Sequence, residues 1–412
     1  MNSQNNIAVP VVQTERVESL DVLRGFALLG ILVMNIQLFA MPQAAYSNPS
    51  AWGDLSGANY LVWLVGHLLT DQKMMTIFSM LFGAGIVLFI ERAERHTNRT
   101  VALHLRRSFW LMVFGILHAY LLWYGDILFV YGLCAFIVVW FRHWRPSSLI
   151  LLGTLFLAVS TSIYLYAGWS LPYWPEDVRS GFVLESWHPD LAGAAAEINA
   201  YRGGWLEQMA HRVPAALEMQ TFILMIWGFW RAAGLMLIGM ALYKLGVLSA
   251  QRSPAFYTKL VAVGVLIGLP MVSYGVYWNF ANDWGPLSLF YGSQFNYWGS
   301  LPVSLAWVAA VMLAWQRQLL PRLLARLAAV GRTAFSNYIL QTLICTSIFY
   351  GHGLGLFADV PRTGQIAIVL AVWIVQLVLS PLWLRHFRFG PLEWLWRCLT
   401  YWQWLGIRTR VV

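Results

Sequence analysis

The chain has 412 residues, of which 59% are hydrophobic and only 11% charged, with a formal net charge of +9. No water-soluble domain of that length can hide so large an apolar fraction, so the composition excludes a soluble enzyme or binding module and requires a membrane-embedded protein. Nucleic acid is not indicated as a partner, because the basic residues fall in short clusters between apolar runs, where topology determinants belong.

A helix needs about 20 apolar residues to cross a bilayer, and by that measure the chain holds roughly ten spans. They lie near 20–40, 73–92, 107–123, 126–141, 147–168, 221–243, 257–279, 299–316, 334–350 and 365–384. The fold class expected is therefore all-α, a polytopic membrane helical bundle with a polar tail at 1–19, a helical domain at 20–384 and a second tail at 385–412. The first apolar run is interrupted by Arg24 and is too long for a signal h-region, so it is expected to be retained as a first helix. The stretch 58–69 is apolar but short, leading into the second span or lying in the interface. With both tails cytoplasmic, twenty Lys and Arg fall in inner segments and five in outer ones, the bias that the positive-inside rule describes. The longest connection, 169–220, then lies outside, relatively acidic and rich in tryptophan, as suits an aromatic belt or a lid. Within it "AGAAAEINAYRGGW" has the pattern of a short helix ending at glycines. Cys134, Cys345 and Cys398 show no paired spacing, so neither a disulfide framework nor a metal site is indicated.

Polar residues inside the spans are the candidates for function, because hydrocarbon makes them expensive. In "SLDVLRGFALLGILVMN", Arg24 and Asn35 are eleven residues apart, which places them on one helical face about 16 Å apart. Asp21 can pair with Arg24 one turn away. The third span repeats the spacing with Arg107, preceded by Arg106, and His118, and the tight bend "WYGDI" can fold Asp126 back toward that histidine. A neutral imidazole beside a carboxylate is a competent general base. Arg231 lies mid-span and needs a partner or water, and Asn337 and Gln341 share a face four residues apart. Plainer roles exist for each: flank anchors for Arg24 and Arg107, interhelical hydrogen bonding for Asn35, Asn337 and Gln341, and a satisfied core position for His118. "FSMLFGAG" reads as a close helix contact through glycine rather than a nucleotide loop. A catalytic role requires that these side chains converge on a single hydrated cleft.

The ordered set "SLDVLRGFALLGILVMN", "IFSMLFGAGIVLF", "FGILHAYLLWYGDIL", "GRTAFSNYILQT" and "FGPLEWLWRCLTY" resembles the YeiB-like bacterial membrane proteins, the family of domain of unknown function 418, over about residues 16–401. The first-span pattern is also similar to a wider group of transmembrane acyltransferases, which includes the lysosomal heparan-glucosaminide acetyltransferase and O-acetylating enzymes of bacterial surface polysaccharides. Those carry "LDxxRG" at the cytoplasmic start of the first helix, matched here by Asp21, Arg24 and Gly25, and a histidine or asparagine further along, matched by Asn35. The resemblance implies a protein of the bacterial inner membrane that moves an acyl group from a cytoplasmic acyl-CoA to a glycan or lipid hydroxyl or amine at the outer face, with no covalently bound cofactor. One departure stands out: the histidine that follows the asparagine in that version is absent from "NIQLFAMPQAAYSNPS". His118 is the candidate replacement and His67 the second choice. On this reading His118 and Asp126 deprotonate the acceptor, Asn35 and Arg231 hold the acyl carbonyl, and Asp21, Arg24, Arg106, Arg107, Asn337 and Gln341 belong to substrate and donor binding. A solute or lipid transporter and a non-enzymatic accessory subunit are the competing classes, and a homodimer remains open.

Overall fold

In hydrocarbon every backbone N–H and C=O must find a partner within the protein, and an apolar segment satisfies them most directly by coiling into a helix. A computed structural model gives the architecture and describes residues 16–95 and 97–409, so most of the N-terminal tail and the last three residues lie outside the described residues. Among the described residues, eight helices are long and apolar enough to cross a membrane. In chain order they are α1 (Glu18–Ala40), α2 (Gly57–Ala93), α3 (Thr100–Leu121), α5 (Pro146–Tyr173), α7 (Met209–Lys244), α8 (Pro254–Ala281), α9 (Ser288–Gln316) and α12 (Arg362–His386). Two shorter apolar helices, α4 (Leu128–Phe141) and α11 (Ala334–Phe349), occupy the other two expected positions. Three further helices of eleven or twelve residues are α6 (Leu191–Arg202) in the long connection, α10 (Pro321–Arg332) and α13 (Pro391–Tyr401), and shorter helical turns lie at Ala44–Ser47 and Glu176–Gly181. Apart from an isolated antiparallel bridge between Phe387 and Arg408, the regular structure of the described residues is helical. The protein is an all-α, multi-pass membrane bundle.

α2 is broken at Thr70–Gln72, where Gln72 takes a left-handed φ of 59°, so the apolar stretch at 58–69 forms its first arm, Gly57–Leu69, and leads into the second, Lys73–Ala93. α4 spans only 14 residues, about 21 Å, against a hydrocarbon thickness of about 30 Å. The bend between α3 and α4 is therefore sunk within the protein, and its polar groups are paired there. The carbonyl of His118 accepts from Leu122 N and Trp123 N, and Phe129 N donates to the Asp126 carboxylate at 2.7 Å.

Close helix crossings hold the centre. A Cβ on Gly331 would lie 1.9 Å from the Asp21 carbonyl oxygen and one on Gly25 2.0 Å from that of Leu327, so α1 and α10 touch backbone to backbone. Gly83, in "FSMLFGAG", meets the carbonyl of Met236 across α2 and α7 in the same way. These small residues replace side-chain interdigitation by direct backbone approach, a common packing mode in membranes.

The long connection folds over the far end of the bundle. α6 is capped by Asp190, which accepts from Gly193 N at 2.7 Å, and it ends at Gly203 as the sequence pattern requires. Beyond it, Trp205 Nε1 and Arg212 both donate to the Leu121 carbonyl, tying this cover to the end of α3. At the opposite end α13, in the segment read as a tail, packs on α3 and α11. Glu393 of α13 accepts from Phe335 N and Ser336 N, two of the orphan donors at the start of α11.

Candidate functional site: a basic-mouthed cavity and a buried histidine–aspartate pair

The described residues enclose a cavity of about 260 Å³ that enters the bundle from its basic end between α1, α2, α3, α11 and α13. Its mouth carries Arg16, Arg24, Arg92, Arg107, Arg332 and Arg397 against two carboxylates, Asp21 and Glu393. Asp21 pairs with one of these arginines, Arg24, at 2.8 Å, and Glu393 caps α11 and accepts from Ser336 Oγ. Burial, reinforced by Arg332, holds Arg16 down at about 10, and burial lowers Arg397 as well. Glu393 is pushed up by its burial against the opposing hydrogen bonds. With six guanidiniums to two carboxylates, the mouth carries a net excess of positive charge. The Arg107 guanidinium stands between the rings of Phe89 and Trp396 at 4.8 and 4.4 Å from their centroids, while Trp396 Nε1 donates to the Arg107 carbonyl.

Above this mouth the lining turns apolar, through Leu28, Phe82 and Leu111, and closes under Ile31, Phe78, Ile127, Tyr131 and Tyr338. Directly behind Tyr338, whose ring centroid is 5.1 Å from that of His118, lies a buried histidine–aspartate pair. His118 Nδ1 is 2.8 Å from Asp126 Oδ1, and both side chains are 1% exposed. Asp126 Oδ2 is held by Phe129 N, so the carboxylate accepts through both oxygens. An acceptor-only carboxylate places the imidazole proton on Nδ1. Nε2 then presents its lone pair, which takes the Thr342 hydroxyl of α11 at 2.9 Å.

The other expected residues separate into distinct environments. Asp21, Arg24 and Arg107 line the cavity mouth; Arg106 points outward and lies over the Trp402 ring at 5.9 Å. Asn35 is half-buried on the face of α1 that carries Arg24, Leu28 and Ile31, four residues beyond the cavity roof. Asn337 and Gln341 face α12, bonded to Ser380 Oγ at 2.9 Å and to Gln376 Oε1 at 3.0 Å. Arg231 is fully buried, but α7 turns it toward α2 and α9, where it donates to Thr76 Oγ1, Ser300 Oγ and the Tyr297 carbonyl. A single cleft joining Asn35, His118 and Arg231 is therefore not what the packing makes: none of the three lines the cavity. His67 pairs with Asp71 at 3.1 Å near the break in α2, beside the buried Lys73, whose ammonium donates to Asn296 and to the His67 carbonyl.

Sequence reading missed Thr342 and Tyr338, and it left Arg332, Glu393, Trp396 and Arg397 without a role. The last three lie in "FGPLEWLWRCLTY", where a proline-started amphipathic pattern with an early glutamate was the available signal. Thr342 and Tyr338 gave no signal, since neither residue type is unusual in a membrane helix.

These features define a class: a multi-pass helical membrane protein whose arginine-lined cavity ends beneath a buried His–Asp–Thr relay. The chain belongs to the DUF418 family of YeiB-like proteins. The family described as "Protein of unknown function (DUF418)" matches residues 242–403. The chain is 34% identical to "Uncharacterized protein YeiB" of Escherichia coli (strain K12), over 94% of this chain and 96% of that protein. It is 32% identical to "Uncharacterized protein YxaH" of Bacillus subtilis (strain 168), over 98% and 99% respectively.

Proposed function

We propose that the protein is a transmembrane acyltransferase of the bacterial inner membrane. An acyl-CoA enters from the cytoplasm, and its acyl group leaves on a hydroxyl or amine of an envelope glycan or lipid at the outer face. The observation that carries this reading is the cavity itself: guanidiniums at the mouth, an apolar throat, and a His–Asp pair behind the roof. A coenzyme A thioester has the same order of chemistry, with phosphates, then a pantetheine arm, then the reactive carbonyl. Arginine forks match phosphate geometry, and each charge-assisted contact is worth about 1.5–3 kcal/mol. Asn35, His118 and Arg231 do not share the single cleft that the sequence reading required, so this narrower reading leaves Asn35 and Arg231 out of the chemistry and gives the general base to His118, held by Asp126 in the tautomer that leaves Nε2 free of a proton. Arg231, Asn337 and Gln341 act in packing on this reading, with their hydrogen bonds satisfied between helices.

The test uses detergent-purified protein and acetyl-CoA as the probe. Binding should weaken roughly tenfold or more on Arg107→Ala. Mass spectrometry of envelope glycans and lipids should show an acylated species that disappears when the protein is deleted and does not return with His118→Ala. No acetyl-CoA binding, together with an unchanged envelope, overturns the reading.

A further inference from the structure

Resting on the acyltransferase reading, we propose that Thr342 is the residue that first receives the acyl group, so that transfer proceeds through a threonyl ester inside the membrane. Three observations converge on its hydroxyl. It lies 2.9 Å from His118 Nε2, the nitrogen opposite the one fixed on Asp126 at 2.8 Å, so Asp126, His118 and Thr342 form an unbroken carboxylate–imidazole–hydroxyl relay. Its bond to its own helix is also stretched. Elsewhere in this chain the hydroxyls of Thr70, Thr221 and Thr400 donate to the carbonyl four residues back at 2.7, 2.6 and 2.7 Å, as threonines in helices commonly do. Thr342 keeps only a long bond of 3.4 Å to that carbonyl, and its shorter contact, 2.9 Å, is to the histidine. Finally, it is placed one turn, about 6 Å, beyond Tyr338 at the cavity roof. Tyr338 stands across the way, its hydroxyl donating to the Gly125 carbonyl at 3.4 Å and held as well by the Ile127 backbone. Thr342 is 1% exposed, so an ester formed there is shielded from water.

The chemistry balances without a further reactant. Thr342 Oγ1 attacks the thioester carbonyl carbon while its proton passes to His118 Nε2. The new C–O bond replaces the C–S bond, and the departing thiolate takes that proton to leave as free coenzyme A. Asp126 stays ionised and stabilises the transient imidazolium. The acceptor hydroxyl then attacks the threonyl ester, gives its proton to His118, and that proton returns to Thr342 Oγ1.

The experiment mixes the purified full-length chain with ¹³C-labelled acetyl-CoA in the absence of acceptor. A burst of coenzyme A release equal to the protein present is expected, with the label mapped by peptide mass spectrometry to Thr342. Thr342→Ser keeps the burst. Thr342→Val, close in shape, loses both burst and adduct while its melting temperature and acetyl-CoA binding stay near those of the wild type. A label on His118 or Cys345, or a Thr342→Val protein that still transfers acetyl groups at the wild-type rate, overturns the threonyl ester and leaves the acyltransferase reading standing. Absence of acetyl-CoA binding by the wild type sinks both.

Discussion

Replacing Asp126 by asparagine tests the relay at a single atom. One oxygen of Asp126 accepts from His118 Nδ1 at 2.8 Å and the other from Phe129 N at 2.7 Å, so the carboxylate meets two donors. An amide has only one oxygen to offer. If that oxygen keeps His118, the amide nitrogen faces Phe129 N at hydrogen-bond distance, two donors opposed. The amide therefore turns its oxygen to Phe129 N and its nitrogen to the imidazole, which forces the ring proton onto Nε2. The lone pair facing Thr342 is then lost, and with it the base. General-base catalysis is worth on the order of 10²–10⁴ in rate, and the corresponding tautomer error in serine proteases costs about 10⁴. The expected result is a fall in kcat of that order, about 3–5 kcal/mol of barrier, with acetyl-CoA affinity unchanged because the cavity mouth is untouched. The assay is transfer from labelled acetyl-CoA in proteoliposomes, paired with equilibrium binding. A kcat within about threefold of wild type refutes the reasoning, since general-base loss cannot be that small.

Three further outcomes follow from the packing and the buried charges. Gly331→Ala places a methyl group 1.9 Å from the Asp21 carbonyl and should destabilise the α1–α10 contact by about 1–3 kcal/mol, read as a lower melting temperature in detergent together with weaker acetyl-CoA binding; an unchanged melting temperature speaks against the close crossing. Arg107→Lys keeps the charge but loses the planar fit between Phe89 and Trp396, so acetyl-CoA affinity should fall by about tenfold and become steeper in salt, whereas wild-type affinity in the lysine variant argues for a simple point-charge role. Burial raises Glu197 of α6 to about 7 even though Gln43 N donates to it at 3.0 Å. The folded protein thus holds a proton that the unfolded chain releases near the ordinary glutamate value of about 4.5. Its stabilising contribution is complete below that value and is lost as pH rises through about 7. Hydrogen-exchange protection factors across α6, with the intrinsic base-catalysed rate divided out, should therefore fall between about pH 5 and about pH 8 in the wild type and not in Glu197→Gln, and flat protection in the wild type removes the effect.

Composition and hydrophobic run length alone determined that this is a multi-pass helical membrane protein, because a bilayer leaves an apolar chain almost no other backbone solution. The ordered motifs carried the family. Local geometry was legible as well: the short "WYGDI" bend predicted that Asp126 folds back on His118, and the 3.6-residue repeat put Arg24 and Asn35 on one face of α1. Periodicity fixes which side chains share a face of a single helix, and it is silent on which faces of different helices meet. Asn337 and Gln341 attracted notice for their amide groups, yet the neighbouring stripe of α11, carrying Tyr338 and Thr342, is the one turned to His118. Arg231 looked like a partner of that histidine, but the glycine contacts that seat α7 against α2 aim it at Thr76 and Ser300. The cavity mouth, too, was decided only by tertiary packing, which brings α13 back across 289 residues to lay Trp396 against Arg107. Such long-range choices depend on backbone approach distances between helices, and those exist only once the bundle has closed.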